Sequence, residues 1–248
     1  MIILKSEAEI AKMRKAGRVV GRCHEMIREQ VQPGVTTAQL DRLIEEFLRR
    51  EGAVPAFKGY RGFPASACVS IGAEVVHGIP GPRVLEAGEV VSIDIGAVVE
   101  GFVGDSAWTY PVGEIDAENQ RLLAVTEAAL YEGIACATVG RRLSDISHAV
   151  QAHVEAEGFS VVRELVGHGV GRQMHEDPQV PNYGPPGRGP RLKAGMTLAI
   201  EPMINAGAAA VRTLDDGWTV VTADGRCSAH FEHTVAVTDG TPLILTLP

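Results

Sequence analysis

The chain has 248 residues, 45% of them apolar and 22% charged, a composition that buries a substantial core in one or two domains. A formal charge of −8 argues against nucleic acid as a substrate or an anionic membrane as a partner. No run approaches the roughly 18 apolar residues of a bilayer span, and MIILKSEAEI is too weakly apolar for a secretory signal, so a cytoplasmic enzyme is expected.

Ser6 followed by Glu9 is a capping-box pattern, and Ile10, Met13, Val20, Met26 and Ile27 fall on one face of a helix running towards Gln30. Pro33-Gly34 stops it. Thr36 and Gln39 offer a second cap, and Leu40, Leu43, Ile44, Phe47 and Leu48 keep helical spacing until Gly52. From about Cys68 the pattern turns to β-branched runs: ACVSI, EVVHGI, EVVSIDIGAVV and, beyond Glu100-Gly101, FVGDSAWTYPV. The last two predict an antiparallel hairpin. Asp116 then opens a second helix pair, LLAVTEAALYEGIACATVG and LSDISHAVQAHVEAEG. Cys23, Cys68, Cys136 and Cys227 lie far apart without a C-x-x-C pair and read as reduced thiols.

The phrases GVTTAQLDRLIEEFLRREG and GRRLSDISHAVQAHVEAEG begin 106 residues apart, at Gly34 and Gly140. LEAGEVVSIDIG and LKAGMTLAIEPM begin 107 apart, at Leu85 and Leu192. One period shared by helix and strand marks an internal repeat. The expected class is α/β (α+β): a single catalytic domain over 1–248, made of two pseudo-symmetric helix-helix-sheet halves, about 1–112 and 113–248. Their two sheets would pack together under the helices around a central cleft.

Both Leu-x-Ala-Gly strands carry an acid, Asp94 and Glu201, and each half carries a second on its late strand, Asp105 and Glu232. An isolated buried carboxylate is costly, and an Arg or Lys partner is the ordinary remedy. A tight turn would return Asp105 opposite Asp94. Four converging carboxylates would raise one another's pKa unless divalent cations joined them. His168, set among glycines in LVGHGVG, adds an imidazole, giving a hard site suited to Mn, Fe or Co. His24, His148 and His153 fall on helices and read as structural. His230 shares a strand face with Glu232 and His233 does not, which places His230 behind the ligands.

The ordered set VVHGIP, VSIDIG, FVGDSAW, GHGVGRQMHEDPQVPNYG, GMTLAIEPMINAG, DGWTV and FEHTVAV strongly resembles the type I methionine aminopeptidases in their compact bacterial form, a branch of the creatinase or pita-bread metallopeptidases. The resemblance runs over essentially the whole chain. It implies a pita-bread fold with a dinuclear metal cleft and two divalent ions, Co, Mn, Fe or Zn, held by Asp94, Asp105, His168, Glu201 and Glu232. Asp105 and Glu232 would bridge the ions, Asp94 would hold one, and His168 with Glu201 the other. The implied reaction removes N-terminal methionine from nascent proteins and peptides, a small second residue being favoured. Glu201 would carry a proton, His175 would meet the scissile carbonyl, and His77 the peptide nitrogen. The methionine pocket would comprise Phe57, Tyr60, Phe63, Cys68, Met174 and Trp218, with His77 and His175 at its edge. Phe57 stands where that family often has Cys, Phe63 where it has Tyr, and Met174 where it has Phe. The resemblance further implies a monomer with the ribosome as a docking partner. Two other readings keep the fold: an X-Pro peptidase, which typically carries an extra N-terminal domain, and a non-catalytic binding protein, which typically loses ligands.

Overall fold

The computed structural model describes residues 1–248. Its first half opens with α1 (Glu7–Arg28) and α2 (Thr37–Arg50), each started by a complete capping box: Ser6 with Glu9, and Thr36 with Gln39. The strands β1 (Val54–Pro55), β2 (Ala67–Ile71), β3 (Glu74–Val76), β4 (Val90–Val99) and β5 (Phe102–Pro111) follow. The second half repeats this order with α3 (Ala117–Ala135), N-capped by Asp116, and α4 (Leu143–Ala156). After them come β6 (Ser160–Val161), β7 (Gly167–Gly169), β8 (Glu176–Val180), β9 (Thr197–Ile200), β10 (Met203–Asn205), β11 (Val211–Thr213), β12 (Val220–Thr222), β13 (Ser228–His230), β14 (His233–Ala236) and β15 (Leu243–Ile244).

The repeat is visible in the strand pairing. In the first half β2 pairs with the N-terminal part of β4, β1 with its C-terminal part, and β5 lies along its other edge. In the second half β9 and β10 together take the place of β4: β7 pairs with β9, β6 with β10, and β14 and β13 occupy the other edge. Where β4 is continuous, its counterpart is cut at Glu201-Pro202; likewise β13 and β14 are separated by Phe231-Glu232. Proline has no N–H to give a ladder, and the chain changes sheet there. The backbone therefore forms four hydrogen-bonded sheets, not the two expected. One of them crosses between the halves, because the β11–β12 hairpin pairs with β3.

Glu100 and Gly101, both with positive φ, close the β4–β5 hairpin in two residues. Each half keeps its own apolar core, and Trp108 packs against both. Between them lies a third cluster that includes Phe57, Phe63, Cys68 and Met174. α1 fits against the sheet by backbone contact: a Cβ on Gly104 of β5 would stand 2.5 Å from Gly17 N, and one on Gly17 would stand 2.2 Å from Leu245 O. No helix is long and apolar enough to cross a membrane.

Candidate metal centre

A cavity of about 190 Å³ opens between the halves, and all thirteen residues singled out from the sequence line it. Asp105, His168 and Glu232 are buried, while Asp94 and Glu201 are half-buried. Ligand atoms of Asp105, His168 and Glu232 lie within 4.8 Å of one another. His168 Nε2 stands 3.5 Å from Glu201 Oε1 and 3.8 Å from Asp105 Oδ2. The expected facing of Asp94 and Asp105 is corrected by the register. Asp105 pairs with Gly96, and Asp94 with Ala107, so the two acids are diagonal neighbours on one face of the hairpin. The turn falls on Glu100-Gly101 and so sets this offset; direct opposition would need the same two-residue turn one residue earlier. The glutamates also depart from simple strand positions, since both occupy the breaks between sheets.

His168 identifies the missing charge. Its Nδ1 lies 2.9 Å from Gly169 O, which only accepts, so Nδ1 carries the proton and Nε2 presents a lone pair to the carboxylates. Burial, and then His175, lower its pKa to about 4, so the ring is neutral near pH 7. Against ionised acids, acceptors therefore face acceptors. Burial pushes Asp105 up to about 7, and burial reinforced by the neighbouring carboxylates drives Asp94, Glu201 and Glu232 well above the usual carboxylate range. Asp94 Oδ1, Asp105 Oδ1, Glu232 Oε1 and His230 Nε2 are buried without a hydrogen-bond partner. No lysine or arginine pairs with any of the four acids; their only ion-pair contacts are to His168 and His230, the latter 3.6 Å from Glu201 Oε2. The ordinary explanation of a buried acid is absent, and the donor set fits divalent cations.

The rest of the cavity is apolar and aromatic. Phe63 meets Trp218 edge-on at 5.1 Å, and Cys68 lies across the ladder from Asp94. A Cβ on Gly96 would lie 2.8 Å from both Phe57 Cε1 and Met174 Cε, so those two side chains fill the space that a larger residue would take. His175 sits exposed at the mouth, stacked on Tyr60 at 5.5 Å, with the Tyr60 hydroxyl 2.9 Å from its Nδ1. His77 has φ 60, an uncommon conformation for a side-chain-bearing residue, and directs its ring edge-on to Trp218 at 6.4 Å. His24, His148 and His153 line no part of the cavity. Sequence reasoning missed Arg61, Val76, Leu165, Val166 and Met203, which complete the lining. Four of these stand within two residues of a named site residue: Arg61 beside Tyr60, Val76 beside His77, Val166 before His168, and Met203 after Glu201.

Residues 11–239 match metallopeptidase family M24. The chain belongs to metallopeptidase family M24. The methionine aminopeptidase 1 of Bacillus subtilis is 59% identical over 239 residues, covering 96% of each chain. A crystal structure of methionine aminopeptidase from Thermotoga maritima superposes with a TM-score of 0.99 at 47% identity, covering 100% of both chains. The prolidase of Pyrococcus furiosus reaches a TM-score of 0.80 at 22% identity, covering 99% of this chain and 66% of its own. That last likeness concerns the fold alone. The resemblance drawn from seven motifs is thus met by full-length relatives, and this M24 chain has the pita-bread architecture expected of it.

Proposed function

We propose that this M24 chain, acting as a single catalytic domain, hydrolyses the first peptide bond of polypeptides that begin with methionine. The carrying observation is the unprotonated Nε2 of buried His168, set among carboxylates that have no cationic partner. Asp94, Asp105, His168, Glu201 and Glu232 would hold two divalent ions among Co, Mn, Fe and Zn. Bound there, divalent ions supply Lewis acidity towards the scissile carbonyl and make water a nucleophile at neutral pH.

The protein's own groups do the remainder. Glu201, whose Oε1 lies 3.5 Å from His168 Nε2, takes a proton from water as its carboxylate and returns it to the departing amine. Asp94 lies beside the aromatic pocket, where it holds the substrate's free α-amino group. The Tyr60 hydroxyl lies 2.9 Å from His175 Nδ1; donating there, it would leave the imidazole proton on Nε2 for the carbonyl oxygen. His77 serves the peptide nitrogen. Phe57, Tyr60, Phe63, Cys68, Met174 and Trp218 enclose a flexible thioether. Nascent chains with a small second residue are the natural substrate.

Turnover of a Met-Ala-Ser peptide, a Leu-Ala-Ser control and an X-Pro dipeptide tests the reading. Met-Ala-Ser is to be cleaved, the other two spared, and chelation is to abolish cleavage until Mn, Co or Fe is returned. Cleavage indifferent to chelation, or preference for X-Pro, would overturn it.

A further inference from the structure

Asp105 and Glu232 stand on equivalent strands of the two halves, β5 and the β13–β14 segment, and these strands run antiparallel where the halves meet. They do not form a regular ladder. A single backbone bond crosses between them, Glu232 N–H to Ala107 O at 2.8 Å. Hydroxyl side chains supply the others. Asp105 N–H donates to Thr234 Oγ1 at 3.2 Å, and that hydroxyl donates to Asp105 O at 2.8 Å. Ser106 Oγ donates to Glu232 O at 2.6 Å. Thr109 Oγ1 accepts from His230 N at 2.8 Å and donates to His230 O at 2.9 Å.

The arrangement is reciprocal: a hydroxyl from the second half holds the backbone of Asp105, and a hydroxyl from the first half holds the backbone of Glu232. Behind Ser106 lies His24 of α1. Its Nε2–H donates to Ser106 O at 2.9 Å, which leaves Nδ1 to accept from the Tyr110 hydroxyl at 2.8 Å. His24, Ser106, Thr109 and Thr234 are all buried. Resting on the metal reading above, we propose that Ser106 and Thr234, backed by His24, are positioning residues that fix the separation of the Asp105 and Glu232 carboxylates across the seam. Small displacements of a ligand backbone are felt directly in a metal site, which tolerates only about 0.5 Å of misplacement. A seam of side-chain hydroxyls is a discrete set of bonds, each removable without breaking a ladder.

The test uses the full chain stripped of metal and titrated calorimetrically with MnCl2, with Co absorption as a second measure of ligand geometry. Ser106→Ala and Thr234→Val are to weaken Mn binding about 10 to 100-fold, the usual effect of losing a group that orients a ligand. Thr234→Ser, which keeps the hydroxyl, and His24→Gln, which keeps a donor for Ser106 O, are to bind as the unaltered chain does. Thr126→Val is the control, because Thr126 is fully buried and its hydroxyl bonds only to Leu122 O within α3. It is to lower the melting temperature and leave Mn binding alone. If Ser106→Ala and Thr234→Val also lose only stability, the seam is merely structural and the inference fails while the metal reading stands. If the unaltered chain binds no Mn, both fall together.

Discussion

In the first half Asp94 and Asp105 ride on the two strands of one unbroken hairpin, whereas in the second half Glu201 and Glu232 occupy the gaps where the chain passes from one sheet to another. A ladder holds a carboxylate through many backbone bonds, and for Asp105 Thr234 Oγ1 adds the tie across the seam. A gap has no ladder. There, individual side chains take over: Asn182 Nδ2 donates to Glu201 O at 2.9 Å, and Ser106 Oγ holds Glu232 O. The first half thus sets its acids by strand pairing, and the second by individual side-chain bonds at positions free of strand alternation. It is the second half that carries Glu201, the group assigned to move a proton.

The largest consequence falls on that group. Glu201→Gln keeps the shape and removes the proton carrier, so kcat is expected to fall about 10² to 10⁴-fold, the usual worth of general acid–base catalysis. His77→Ala in the first half is expected to do much less, acting mainly on KM. Steady-state kinetics on Met-Ala-Ser would show it, and equal, small effects of the two changes would remove Glu201 from its role.

Next comes the charge conflict that both halves share. A carboxylate whose folded pKa is raised stabilises the fold below its unfolded value, about 4, and loses that contribution as pH rises through the folded value. The buried imidazoles, His168 among them, are lowered, and they cost stability only below their unfolded value near 6.5. Between about pH 6.5 and 8 the carboxylates alone therefore set the slope. Metal-free protein is expected to lose up to about 1.4 kcal/mol per pH unit for each proton still held. Saturating Mn should cancel the loss, since ligation favours the deprotonated acids. Thermal unfolding at both pH values, with and without Mn, measures this; the same slope in both states would mean that the acids are not ligands.

Asn182→Ala probes the gap at Glu201 more gently. It leaves the half-buried Glu201 carbonyl without its side-chain donor, an expected cost of about 1 kcal/mol in chemical denaturation. Mn affinity should weaken in parallel, because that carbonyl belongs to a ligand standing in a gap. Unchanged affinity would show that the gap is held by backbone packing instead.

Much of this could be read from residue types alone, because the relevant forces are local. Ser6 with Glu9, Thr36 with Gln39, and Asp116 mark helix starts where they are found, and Glu100-Gly101 closes the hairpin as its turn chemistry requires. The carboxylates were readable because an acid is conspicuous in an apolar run, and His168 because glycines surround it, whereas His77 and His175 took their roles from the resemblance. What escaped was set by long-range geometry. The four sheets depend on a break at Pro202, and the pairing of β12 with β3 joins segments far apart in sequence. Ser106, Thr109 and Thr234 follow no periodicity, so their joint role emerges only when the halves are brought together.

The smallest effect concerns the pocket, where three residues depart from the pattern of the resembled family. Phe57 and Met174 approach the same point over Gly96, each 2.8 Å from where its Cβ would lie, so a volume lost at one position can be filled from the other. Met174→Phe alone overfills that space and is expected to raise KM for Met-Ala-Ser roughly tenfold, about 1.4 kcal/mol. Phe57→Cys alone leaves a void and loosens discrimination against Leu-Ala-Ser by a similar factor. Made together, the changes should largely cancel, because they trade one filling of a shared space for another, and a double-mutant cycle reads that coupling directly. Additive losses would mean that Phe57 and Met174 bound separate subsites, and the exchange of volume over Gly96 would have to be given up.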